Sequence, residues 1–219
     1  MKSFNKLIIS LSIISFVSCN NVPQSTKTPE TPEEAVATLL EGNRRFVNED
    51  RLNPNSNLDR VKETVPHQEP FAAIIGCSDS RVPIELIFDQ GVGDIFVIRT
   101  AGNNVEDDMV MGSIEYAVEH LGVKVLVVLG HSSCGGITSA ITPGEHSSAL
   151  NNLLQQIRND IPEFVGKPEL LDEAIHAHTD SQIETLFQNS IVAENIKKGK
   201  LIIKGAHYDI HTGKVTFSD

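Results

Sequence analysis

Four short apolar runs punctuate the chain, at residues 71–76 (FAAIIG), 95–98 (IFVI), 123–130 (VKVLVVLG) and 201–205 (LIIKG). None alternates strictly between apolar and polar positions, as expected of strands covered on both faces. Helical spacings separate them. Val110, Ile114, Ala117, Val118 and Leu121 share one helical face, closed by Gly122 just past its end. Residues 150–157 and 170–196 predict two further helical stretches, the last ending at Lys197-Lys198-Gly199. Ahead of the first strand, Thr31-Pro32-Glu33-Glu34 sets Thr at the N-cap, Pro in the first helical position and Glu two residues later. Val36, Leu39, Leu40, Asn43, Phe46 and Val47 then follow at helical spacing, predicting one apolar stripe. Strands alternating with helices predict an α/β fold, a mostly parallel central β-sheet flanked by helices. Ligands of such sheets gather at the carboxyl ends of the strands.

The amino-terminal residues read differently. Lys2 and Lys6 precede an apolar run over residues 7–17, which ends at Ser18 and Cys19. A basic segment followed by eleven apolar-rich residues predicts an export signal over 1–19, too short for a membrane span of about 20 residues. Phe16-Val17-Ser18-Cys19 resembles a bacterial lipobox, although Phe stands where Leu is usual. That resemblance implies lipidation of Cys19; a plain signal with an incidental cysteine is the alternative. Residues 20–32 are polar with three prolines, the composition of a solvated tether. The expected organisation is a signal at 1–19, a tether at 20–32 and one folded domain at 33–219. The expected location is a cell-envelope membrane, reached through the lipid alone, with the domain facing the periplasm.

Charge narrows the partners. The formal net charge is −11, and removal of Lys2 and Lys6 with residues 1–19 would bring it to −13. Such a surface repels phosphate backbones, and with no Trp and two Tyr it offers few stacking platforms. Nucleic acid is therefore excluded as a partner.

The strand ends carry the chemistry. Cys77-Ser78-Asp79-Ser80-Arg81 follows the first run, and His131-Ser132-Ser133-Cys134-Gly135-Gly136 follows the third. Cys77, Asp79, His131 and Cys134 thus meet on one rim of the sheet. Two thiolates, an imidazole and a fourth position form a zinc ligand set rather than one for magnesium or calcium. Burial as small apolar residues, or a Cys77–Cys134 disulfide in an oxidising compartment, are the alternatives. Arg81 offers Asp79 a bidentate fork that would hold the carboxylate off the metal. Water would then take the fourth position, where zinc lowers its pKa. His176 and His178 lie about 200° apart on a helix and cannot jointly hold a metal. His67, His120, His146, His207 and His211 have no partnered spacing.

C-S-D-S-R followed by H-x-x-C-G-G, with G-D-I-F-V-I-R-T-A-G-N between them, resembles the β-class carbonic anhydrase family. The resemblance runs from about Ala35 to the segment Tyr208-Asp209-Ile210-His211-Thr212-Gly213. It implies zinc, one per chain, on Cys77, His131 and Cys134. Asp79 is then the fourth ligand of a resting site or the partner of Arg81 in an open one. It further implies reversible hydration of CO2 to bicarbonate by zinc-bound hydroxide, and a plant-like pocket of Gln68, Phe96 and Tyr116. The Gly135 amide would hold a substrate oxygen. By the same resemblance the first helix is an arm that wraps a second subunit, giving a homodimer or a dimer of dimers with the site at the seam. A Trp that binds inhibitory bicarbonate in another branch is absent here. A zinc hydrolase of CS2 or COS on the same scaffold, and a non-catalytic zinc-stabilised binding module, are the rival readings.

Overall fold

The computed structural model describes residues 28–218. Helix α1 (Pro32–Val47) opens the fold, followed by α2 (Leu58–Glu63), β1 (Ala72–Cys77), α3 (Ile84–Ile87) and β2 (Ile95–Thr100). Next come α4 (Asp108–Glu115), running on into a π-helical turn at Tyr116–His120, then β3 (Val125–His131), α5 (Gly135–Ile141) and α6 (Ser148–Asp160). Helices α7 (Leu171–Gln188) and α8 (Ser190–Lys197) precede β4 (Ile202–Tyr208) and β5 (Val215–Phe217). The sheet order is β2-β1-β3-β4-β5. The first four strands are parallel and β5 pairs antiparallel with β4.

Central placement explains the unbroken apolar runs. Every residue of β1 and β3 is buried. On one face Ile74, Val125, Val127 and Leu129 pack against Leu39 of α1 and Ile84, Ile87 and Phe88 around α3. On the other, Ala73, Ile75, Leu126 and Val128 meet Ile114, Ala117, Leu186 and Val192. The architecture read from periodicity is present, and Gly122 closes its helix with φ at +66°.

Three features differ from that reading, each for a local reason. The stretch over 170–196 is two helices, because Asn189 leaves the helical conformation and caps α8. Its Oδ1 accepts from Ile191 N–H at 3.0 Å and Val192 N–H at 3.2 Å, while its Nδ2 donates to Glu115 at 2.8 Å. On α1 the buried face is rotated from the apolar stripe: Leu40 is 43% and Val47 39% exposed, while Gly42 and Arg45, outside the stripe, are buried beside Leu39 and Asn43 within it. A Cβ on Gly42 would overlap the Phe88 carbonyl oxygen, so glycine is what lets α1 lie against the end of α3. Asn43 then donates to the Ile87 and Gly213 carbonyls at 3.2 and 2.9 Å and accepts from Val215 N–H at 2.8 Å. Strand β5 is the third: three residues are too few for a periodic signal.

Candidate metal centre

Adjacent parallel strands end together here. Cys77 is the last residue of β1 and His131 the last of β3, and Cys134 immediately precedes α5. The positive φ of Ser133, at +56°, lets the chain turn back within three residues. Cys77 Sγ and Cys134 Sγ lie 3.9 Å apart, and both cysteines are free. Two sulfurs on one tetrahedral zinc, with bonds of about 2.3 Å, stand about 3.8 Å apart. All three ligand atoms of Cys77, His131 and Cys134 fall within 4.8 Å of one another.

The imidazole is prepared for a cation. His131 is fully buried, and its Nδ1 lies 3.0 Å from the Ser132 carbonyl. A carbonyl only accepts, so Nδ1 carries the proton and the Nε2 lone pair is left free. That Nε2 is buried and has no hydrogen-bond partner, which fits a metal ligand. The thiols divide unequally without a metal. The Cys134 thiol, donating to Cys77, holds the Cys77 pKa down, helped by the Gly102 amide at 3.4 Å. The same contact, together with burial, pushes Cys134 up. A dication between them is what makes both thiolates favourable at once.

Asp79 stands beside this trio in the grip of Arg81. Its Oδ1 accepts from the Arg81 backbone N–H at 2.9 Å and from Nε at 3.0 Å, and its Oδ2 accepts from Nη2 at 2.7 Å. This fork lowers the Asp79 pKa to about 2. Asp79 Oδ2 is nevertheless only 3.9 Å from His131 Nε2. The carboxylate is within reach of the ligand set and is turned toward the guanidinium. Arg99, quoted in the sequence run but given no role there, fixes the loop from β2: it donates to the Cys77 carbonyl at 3.0 Å and the Asp79 carbonyl at 2.6 Å.

Other residues singled out in the sequence fall in two places. Gly135 begins α5 directly after Cys134, with open space where a side chain would be. Phe96 and Tyr116 meet each other, ring centroids 6.3 Å apart, but far from the cysteines of their own chain. Thr100 pairs with Cys77 while Phe96 pairs with Ala73, four residues lower, or about 13 Å at ~3.3 Å per residue. Gln68 lies in the exposed loop before β1, also at the low end. Cys19 and residues 1–27 lie outside the described residues. Of the remaining histidines, His207 has an unforeseen partner: it stacks on His176 at 4.6 Å between centroids.

Comparisons with known proteins agree with this site. The family model described as carbonic anhydrase matches residues 72–215. Carbonic anhydrase 2 of Mycobacterium tuberculosis is 38% identical over 194 residues, covering 86% of this chain and 93% of its own. A carbonic anhydrase of Mycolicibacterium smegmatis is 38% identical, covering 84% and 92%. Among solved structures, a tetrameric β-carbonic anhydrase of Sordaria macrospora superposes with a TM-score of 0.67 at 30% identity, covering 74% of this chain and 86% of that one. The Coccomyxa β-carbonic anhydrase in complex with acetazolamide gives 0.67 at 26% identity, covering 83% and 85%. The chain belongs to the carbonic anhydrase family, in its β class.

Proposed function

We propose that this protein catalyses the reversible hydration of CO2 to bicarbonate and a proton, with one zinc ion per chain. The observation that carries the reading is the buried trio of Cys77, His131 and Cys134 with a free Nε2 lone pair, beside an Asp79–Arg81 pair. Bound zinc supplies a Lewis acid that makes water nucleophilic near neutral pH. The chain's own groups prepare the site. The Ser132 carbonyl sets the His131 tautomer. Arg81 keeps Asp79 ionised and turned from the ligand atoms, where its spare lone pairs can orient a water molecule. The Gly135 amide would receive a substrate oxygen in this reading, supported by its position at the start of α5 directly after Cys134.

Gln68, Phe96 and Tyr116 complete the pocket from a second copy of the chain. The support is their distance: in their own chain they stand at the opposite end of the sheet from Cys77. A homodimer, or a dimer of dimers, follows from that sharing. The exposed Leu40 and Val47 of α1 give an arm its apolar face. Residues 1–19 are proposed as a lipoprotein signal with lipid on Cys19, residues 20–32 as a tether and 33–219 as the catalytic domain facing the periplasm. Among the described residues no helix is long and apolar enough to cross a membrane; in this reading attachment is through the lipid.

Stopped-flow CO2 hydration, with and without a chelator, tests the assignment. Chelator-sensitive hydration of CO2 is expected. Turnover of CS2 or COS without CO2 hydration would reassign the substrate, and no turnover of any of the three would leave a zinc-stabilised binding module.

A further inference from the structure

Helix α7 buries two polar side chains that the ligand set does not include. His178 and Gln182, one helical turn apart, are both 0% exposed. His178 Nε2 donates to the Gly102 carbonyl at 2.9 Å, and its Nδ1 stands 3.1 Å from Asp160 Oδ2. Gln182 Oε1 accepts from Val105 N–H at 2.7 Å, and its Nε2 donates to the same Asp160 Oδ2 at 2.8 Å. Apolar side chains would pack α7 against its neighbours without the cost of burying polar atoms. The polarity of these two residues is therefore directed at something.

Both reach residues 101–105, the turn that follows β2. This turn holds two successive left-handed residues, Gly102 at φ +77° and Asn103 at φ +50°, a conformation that needs outside support. Packing supplies part of it. A Cβ on Gly102 would come within 2.9 Å of Ile157 on α6, and a Cβ on Gly136 within 3.0 Å of the Gly102 nitrogen. The turn is thus pressed between α5 and α6 and pinned at both ends from α7. What the pinned turn presents is the Gly102 N–H, donating to Cys77 Sγ at 3.4 Å.

We infer that His178 and Gln182, the latter braced by Asp160, are positioning residues for the metal centre: they hold the Gly102 amide on Cys77 Sγ and so set how strongly that sulfur donates to the metal. A hydrogen bond to a thiolate draws electron density from the sulfur, and outer partners of this kind tune bound metals. The effect has a purpose at this site. Two thiolates formally cancel the charge of Zn²⁺, and an amide on one of them returns some of the Lewis acidity. The inference rests on the zinc reading above, and the test separates the two.

Load the full chain with cobalt(II) and record its thiolate-to-metal charge-transfer band. Absence of that band in the wild type would sink the ligand assignment itself. With the band present, His178→Leu should move it to lower energy, because a sulfur that loses its hydrogen bond gives up electrons more easily. Gln182→Met should move it less, in the same direction. His178→Gln, which offers a donor at the reach of Nε2, should return it toward the wild-type position. With zinc bound, kcat of His178→Leu should fall about tenfold while KM stays unchanged. Bands that coincide with the wild type in both folded variants would overturn the proposal. Should neither variant fold, the cadmium-substituted wild type decides: scalar coupling from the metal to the Gly102 amide proton supports the contact, and its absence refutes it.

Discussion

Arg81 holds Asp79 by a two-point fork, Nε on Oδ1 at 3.0 Å and Nη2 on Oδ2 at 2.7 Å, and its Nη2 also reaches the Ser133 carbonyl at 3.1 Å. One guanidinium therefore joins the loop after β1 to the loop after β3. Removal of the fork frees a carboxylate that already lies 3.9 Å from His131 Nε2, and a bound metal is then the nearest cation. Arg81→Ala should lose on the order of 10²-fold in kcat/KM for CO2 hydration, the scale of removing one preorganised charge partner. Arg81→Lys should recover only part, since an ammonium lacks the planar fork. Stopped-flow rates at fixed zinc content check this; near-wild-type activity in Arg81→Ala would show that the fork gates nothing.

Metal removal should be felt by the fold. Cys77 and Cys134 are 4% and 1% exposed and belong to the cluster that joins α5, α6 and α7. Cys77→Ser or Cys134→Ser should lose zinc and lower the melting temperature, because ligation is coupled to folding. Metal analysis beside thermal unfolding reads both effects. Stoichiometric zinc in either variant would contradict the ligand set.

Shared pockets predict complementation. In the proposed two-copy site, Arg81→Ala and Tyr116→Ala would disable contributions from opposite chains. Each variant alone should be slow, while refolded mixtures should regain part of the activity, up to half the fraction of mixed dimers, since one of the two sites in each is intact. Mixtures no faster than the average of the two variants would place the pocket within one chain.

Asp209 contributes a pH dependence to stability. Its carboxylate accepts from His211 N–H at 2.9 Å and the Thr212 hydroxyl at 2.7 Å, capping the turn between β4 and β5. These contacts lower its pKa from 3.8 to about 2. A depressed carboxylate stabilises the fold fully above its unfolded pKa and loses that contribution as pH falls through the folded one. Wild type should therefore be more stable than Asp209→Asn at pH 6, with the gap closing between about pH 4 and pH 2. Denaturant midpoints across that range measure it, and a gap independent of pH would disprove the assignment.

Gly42 offers a contest of signs. Alanine in a helix interior is favoured over glycine by about 1 kcal/mol, yet here its Cβ would strike the Phe88 carbonyl. Overpacking of a buried contact costs about 1–3 kcal/mol, so Gly42→Ala should be net destabilising. Chemical denaturation gives the sign directly.

How far the sequence could be read depended on whether the signal was local. Strands β1 and β3 announce themselves because burial on both faces leaves unbroken apolar runs, and the ligands follow at once. The rotation of α1 was not legible: Arg45 lies off the stripe and is charged, and the Asp89 carboxylate that lets it be buried is 44 residues away. His178 and Gln182 were hidden for the same reason, since their acceptors and donors lie 76 and 77 residues earlier. The break at Asn189 falls inside a continuous helical period, and only its capping bonds reveal it.

The order of the strands in the sheet bears on how the protein is made. Both metal-bearing strands, and Cys134 with them, precede residue 135, whereas α7 and β4, which cover the site and flank β3, come after residue 170. A chain growing from its amino terminus holds a complete set of ligands before the elements that bury them exist. During that interval the two thiols face metal and oxidant alike. Zinc supply where the exported chain folds, more than affinity in the finished fold, would then decide the yield of active protein.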